Sequence, residues 1–265
     1  MFRVGYYQFR PLFGKPEQNC KKIITVLDSV ESDLLVLPEL ALSGYYFANK
    51  EEALHFSEDP NNSKNIDSIC ELAAKKNMHL VLGFVERQQN NCFNSAALIG
   101  PNGIEHIYRK IHLFNEEKFI FAEGDIPFKV NTINGVKLGL IVCFDWVFPE
   151  TIRMLAMQGA QVICQPANLV LTYCQQTMIA RSIENRVFII TCNRYGQEIR
   201  PQGALKFTGR SQIVAPGGNI LHRSAAQREA IYLCDIDPKD ANNKFITKYN
   251  IYKFNRLNPR SFTDP

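Results

Sequence analysis

Apolar residues along this 265-residue chain fall into two patterns, short continuous runs and longer stretches with a helical repeat. The runs predict strands at Arg3–Phe9, Leu34–Leu37, Leu80–Val85, Val136–Val142, Val162–Cys164, Phe188–Cys192 and Ala230–Ile236. Helical spacing predicts helices over 16–31 (through Ile23, Ile24, Val26, Leu27 and Val30), 64–77, 149–159 and 173–186. Pro16 and Pro149 stand at helix starts and Gly159 at a helix end, where a missing N–H or a missing Cβ costs least. Two hairpins are predicted. One joins Ser95–Ile99 to Ile104–Tyr108 across Pro101-Asn102-Gly103, and the other joins Gly209–Val214 to Ile220–His222 across Pro216-Gly217-Gly218-Asn219. Stretches 45–60, 112–127 and 195–207 read as loops. Strands alternating with helices predict a layered α/β fold, and strands that are apolar throughout need both sheet faces covered. Residues 1–238 read as one domain. Residues 239–265 read as a polar tail whose aromatic residues favour docking on the domain or on a partner subunit.

Composition narrows the class. No apolar run approaches the ~18–20 residues of a membrane span, and Met1-Phe2-Arg3-Val4-Gly5-Tyr6 does not open a signal peptide. A cytoplasmic protein with eight reduced cysteines is therefore expected. None of the cysteines is spaced C-x-x-C, so the usual zinc and thioredoxin-like cue is missing. A net charge of +4, spread along the chain, is no nucleic-acid footprint.

Three segments place a reactive group where a strand ends, the position a rigid scaffold can aim. Glu39 follows the apolar run in Leu37-Pro38-Glu39-Leu40, with Ser43-Gly44-Tyr45 behind it. It is either a surface loop carboxylate or a general base whose proton affinity rises on burial. Lys110, in Tyr108-Arg109-Lys110-Ile111-His112-Leu113-Phe114, is either a snorkelling strand-end lysine or a fixed cation for an oxyanion. Cys143 ends the apolar strand and opens Cys143-Phe144-Asp145-Trp146-Val147-Phe148-Pro149-Glu150, a strand–turn–helix arrangement that can expose a nucleophile. The other cysteines read as inert: Cys164, Cys192 and Cys234 in strands, Cys20 and Cys70 in helices, and Cys92 and Cys174 as surface thiols.

Taken together, Glu39 in L-P-E-L, Lys110 in Y-R-K-I-H-L-F and Cys143 in C-F-D-W-V-F-P-E resemble the nitrilase superfamily of carbon–nitrogen hydrolases. Asn168 in P-A-N, the helix A-R-S-I-E-N-R-V and the run Phe207 to Ser211 extend the likeness over nearly the whole chain. The resemblance implies a four-layer α-β-β-α sandwich that pairs through a helical face into a homodimer. It also implies a Glu39–Lys110–Cys143 triad with a second glutamate near the lysine. That role falls on Glu117, with Glu116 adjacent. No metal and no cofactor are implied.

The expected activity is hydrolysis of a small-molecule amide to the acid and ammonia through a thioester on Cys143. Nitrile hydrolysis and N-carbamoyl-amine hydrolysis are the alternatives, and a non-catalytic binding protein on the same fold is the alternative of another class. Phe144 is expected to lend its backbone N–H to the oxyanion. Tyr45 and Trp146 suit an apolar or neutral substrate, and Asn168 could bind an amide or ureido group or merely brace a loop. A Cys–His hydrolase acting through His112, the one histidine near a candidate site, is the disfavoured enzyme alternative.

Overall fold

The computed structural model describes residues 1–245, 247 and 248. Its elements follow the predicted order. In the first half they are β1 (Phe2–Gln8), α1 (Pro16–Leu27), β2 (Leu34–Val36), α2 (Lys50–His55), α3 (Lys64–Lys76), β3 (His79–Gln88), β4 (Asn91–Gly100), β5 (Gly103–Arg109) and α4 (Glu117–Ile120). The second half holds β6 (Val130–Ile133), β7 (Val136–Leu140), α5 (Pro149–Met157), β8 (Val162–Ala167), α6 (Cys174–Asn185), β9 (Phe188–Asn193), β10 (Tyr195–Arg200), β11 (Gly203–Thr208), β12 (Gln212–Val214), β13 (Ile220–Arg223) and β14 (Ala230–Ile236).

Two six-stranded sheets form, in the orders β14-β1-β2-β3-β4-β5 and β13-β12-β9-β8-β7-β6. The centre of each is parallel, β1 with β2 and β3 in one and β7 with β8 and β9 in the other, while the pairings toward the edges are antiparallel. The period of two along a strand sorts side chains between layers. Val4, Tyr6, Leu34, Val36 and Val81 face the second sheet. Their neighbours Tyr7, Leu35, Leu37, Leu80 and Leu82 pack under α1 and α3. Ile163 and Ile189 of the second sheet share a core with Ile152 and Leu155 of α5 and Met178 of α6. The result is the expected α-β-β-α sandwich.

Several expectations are corrected. The first helix stops at Leu27, and Val30 is buried from the turn that follows. The stretch 195–207 is no loop: β10 and β11 pair as a two-stranded sheet of their own. Stretches 45–60 and 112–127 contain α2 and α4. Cys92 and Cys174 are not surface thiols but fully buried. The start of the tail folds back on the second sheet, where Gln161 Nε2 donates to Pro238 O at 3.0 Å and to Asn242 Oδ1 at 3.2 Å. The rest of the docking expected for 239–265 lies outside the described residues. Among the described residues no helix is long and apolar enough to cross a membrane.

One glycine makes room for the loop that carries Glu39. Ala41 N donates to Gly83 O at 2.7 Å as the chain after β2 crosses β3. A Cβ on Gly83 would lie 2.5 Å from both Glu39 Cα and Pro38 O. Backbone cannot yield as a side-chain tip can, so Gly83→Ala must push the Glu39 loop aside. We expect a stability loss of about 1–3 kcal/mol from overpacking, and an activity loss of about ten- to a hundredfold from displacing Glu39. Denaturant unfolding and steady-state rates check both.

Candidate active site

Three strand ends deliver the site. Beyond β2, Pro38 ends the ladder and Leu40 takes a left-handed φ of 49°, turning the chain so that Glu39 is fully buried. Asn168, just beyond β8, braces this turn by donating from Nδ2 to Glu39 O at 2.9 Å. Glu39 Oε1 accepts Lys110 Nζ at 2.8 Å and Asn94 Nδ2 at 2.7 Å. Glu39 Oε2 is buried and has no hydrogen-bond partner.

Lys110 follows β5, its N–H donating to Asn94 O at 2.8 Å and its carbonyl accepting Gly124 N at 3.0 Å. Its ammonium lies between two carboxylates, 2.8 Å from Glu39 Oε1 and 2.8 Å from Glu117 Oε2, with no solvent exposure. Burial alone would pull the ammonium's proton affinity down. Glu117, Glu39 and the Cys143 thiol outweigh it and hold Lys110 charged, well above the ordinary lysine value. Glu117 opens α4 and is buried, whereas Glu116 is exposed, so Glu117 is the residue that reaches the lysine. Its Oε1 also accepts Tyr45 Oη at 2.7 Å and its Oε2 accepts Phe114 N at 3.1 Å. Burial pushes the Glu117 carboxyl up, and Lys110 and Tyr45 pull it back part of the way.

Cys143 stands past β7 at φ +40° and opens a 3₁₀ turn through Val147. A non-glycine residue in this region is strained, and such strain collects where the surroundings over-determine geometry for function. Asp145 supplies the over-determination. Fully buried, its Oδ2 accepts Val142 N and Tyr108 Oη, each at 2.8 Å. Its Oδ1 lies 2.7 Å from His112 Nδ1. Gln165 Nε2 adds a bond to Cys143 O at 3.1 Å. The thiol is pushed well above the ordinary cysteine value, by burial first and Glu39 next, against the pull of Lys110.

Phe144, Trp146 and Asn168 line a recess with Cys143. Its free volume is about 10 Å³, close to the room of one water. Tyr45 lines a second space of about 90 Å³ beside Glu117, and Phe114 borders both. Asn168 spends its Nδ2 on the Glu39 loop while its buried Oδ1 has no partner. His112 stacks on Phe148 at 3.7 Å and serves Asp145, not the thiol. Asp145, Asn94 and Tyr108 were not singled out from the sequence. The signal for Asp145 was available: a carboxylate between Phe144 and Trp146 at the end of an apolar strand is costly unless it is bonded.

Known proteins resemble this chain over nearly its whole length. The profile of the family described as carbon–nitrogen hydrolase matches residues 3–243. A nitrilase from Pyrococcus abyssi is 36% identical over 260 residues, 97% of this chain and 98% of that protein. An (R)-stereoselective amidase from a Pseudomonas species is 33% identical over 210 residues, 78% of this chain and 74% of that protein. A solved amidase of the nitrilase superfamily from Nesterenkonia AN1 superposes with a TM-score of 0.78 at 25% identity, covering 91% of this chain and 92% of that one. A profile match across nearly the whole chain, relatives of this identity and the shared sandwich make the chain a member of the carbon–nitrogen hydrolase family, and an enzyme of it.

Proposed function

We propose that the protein hydrolyses a small, neutral amide to a carboxylic acid and ammonia, with Cys143 as nucleophile, Glu39 as general base and acid, and Lys110 as oxyanion donor. The observation that carries this reading is the division of labour between the two oxygens of Glu39. Oε1 is tied to Lys110 and Asn94, while Oε2 is buried with no donor. A buried carboxylate oxygen left unpaired is rare and costly. Here it is free to take the proton of a thiol that burial keeps protonated. Glu117 has no such capacity, because donors occupy both of its oxygens.

The steps follow from these atoms. The S–H proton passes to Glu39 Oε2 as the sulfur bonds to the amide carbon. Charge develops on the carbonyl oxygen, where Lys110 Nζ and the Phe144 backbone N–H stabilise it. Glu39 returns its proton to nitrogen, the C–N bond breaks, and ammonia leaves a thioester on Cys143. Glu39 then takes a proton from water, hydroxide adds to the thioester carbon, and the sulfur leaves and is reprotonated as the acid departs. Glu117 orients Lys110 throughout. The tight recess of Phe144, Trp146 and Leu169 supports a small uncharged substrate. Two copies pairing through α5 and α6 is supported by Met154, Met157 and Ile183, which those helices expose.

A panel of amides, nitriles and carbamoyl amines, read by ammonia release and by the mass of acylated Cys143, tests the reading. We expect small amides to turn over fastest and to leave an acyl mass on Cys143. Turnover with no adduct on Cys143 under rapid quench would overturn the mechanism, and preference for a nitrile would overturn the substrate class.

A further inference from the structure

The β10–β11 hairpin belongs to neither main sheet, yet it is tied to the site by a buried carboxylate. Only Glu198 is buried on β10, on a strand otherwise exposed or half-exposed. Its oxygens accept Tyr45 N at 3.2 Å and Tyr46 N at 2.7 Å. Gly44 makes this possible. It turns at φ +81°, and a Cβ there would stand 2.9 Å from Glu198 Oε1. Consecutive N–H groups after a left-handed residue form a small anion cradle, and here a side chain of the same protein fills it. The carboxylate is held from behind by the fully buried Arg194, whose Nη1 is bonded to Glu198 and whose Nη2 donates to Pro11 O at 3.2 Å. The Arg194 guanidinium covers the Phe207 ring at 4.1 Å, and Tyr45 meets that ring edge-on at 5.9 Å. Backbone and ring of Tyr45 are thus both fixed by the hairpin, and its hydroxyl is the donor to Glu117 Oε1.

We infer that Glu198, anchored by Arg194, is a positioning residue that acts through Tyr45 to hold Glu117, and through it Lys110, in the geometry the reaction needs. The inference rests on the hydrolytic reading above and extends it to a second layer outside the two sheets. Glu117 faces Lys110, Glu39, Tyr45 and the Cys143 thiol. Of these, Tyr45 helps Lys110 to oppose the upward push of burial on Glu117. Releasing Tyr45 therefore moves the titration of Glu117 toward higher pH.

The test uses the full chain with the best amide of the panel. Glu198→Gln should lower kcat about tenfold or more with KM little changed, and move the acidic limb of the kcat profile upward. Tyr45→Phe should do the same. In the double variant, Glu198→Gln should add less than about a twofold effect, because residues acting in series are not additive. If Glu198→Gln alone does not fold, the charge-neutral pair Arg194→Gln with Glu198→Gln takes its place in the same cycle. Equal losses from Glu198 substitution with and without Tyr45→Phe, or a kcat loss with an unmoved acidic limb, would overturn the inference. Failure of the hydrolytic reading is separate: it appears as activity surviving Cys143→Ala, whatever Glu198 does.

Discussion

Cys143→Ala will remove turnover, lowering kcat by about 10⁴ or more, the scale seen when a nucleophile acting in concert with its partners is deleted. The fold will survive. Alanine takes the place of a small buried side chain, at a cost of about 1 kcal/mol. In a domain of this size that is about 2–4 °C in Tm. The backbone adds a sharper expectation. At φ +40°, alanine keeps the strain that cysteine bears. Glycine relieves about 1–2 kcal/mol of it and costs about 0.4–1 kcal/mol through a looser unfolded chain. Cys143→Gly should therefore melt no lower than Cys143→Ala while being equally inactive. Calorimetry on the three proteins reads this directly. A Gly variant clearly less stable than the Ala variant would mean that the turn is not strained.

Glu39→Gln will keep the shape of the side chain and both contacts of Oε1 while removing the base. General acid–base catalysis contributes typically about 10²–10⁴-fold, and a loss of that order in kcat is expected. The pH dependence has a definite sign. The Glu39 charge raises the Cys143 thiol and Lys110 lowers it. Neutralising Glu39 leaves Lys110 unopposed from that side, so the thiol titrates at lower pH in the variant. Alkylation of Cys143 by iodoacetamide should be slower than wild type at neutral pH, where no base assists. It should then rise steeply with pH as free thiolate forms. A variant with wild-type kcat, or a thiol titrating higher than wild type, would remove Glu39 from the base role.

Much of this was legible in the chain because strand ends are written in local pattern. An apolar run, a break and a lone reactive side chain mark Glu39, Lys110 and Cys143 alike. The parallel strands of the interior are apolar throughout, so the sandwich follows from their need for cover on both faces. The hairpin of β10 and β11 was not legible, because its buried positions are inverted. Glu198 and Phe207 are the residues it hides, while Ile199 is 75% exposed. A reading that equates burial with apolar side chains passes over such a strand. Cys92 and Cys174 failed for a related reason. Their neighbours in sequence are polar, but Cys92 lies beneath Ile120 and Cys174 beside Gln165, contacts that only the tertiary fold creates. Glu117 could be told from Glu116 only by the start of α4, which turns one inward and leaves the other in water.

The buried ion cluster also bears on the end of the reaction. Two carboxylates stand against a single ammonium, all three act electrostatically on the thiol, and none of the three is solvated. A neutral amide meets no penalty on entering such a field. The acid formed from it loses its proton near neutral pH and becomes an anion beside an unbalanced negative charge, at low dielectric where repulsion is strong. The arrangement that prepares the attack therefore also ejects the product, so the carboxylate should be a poor inhibitor and the reaction hard to run backwards.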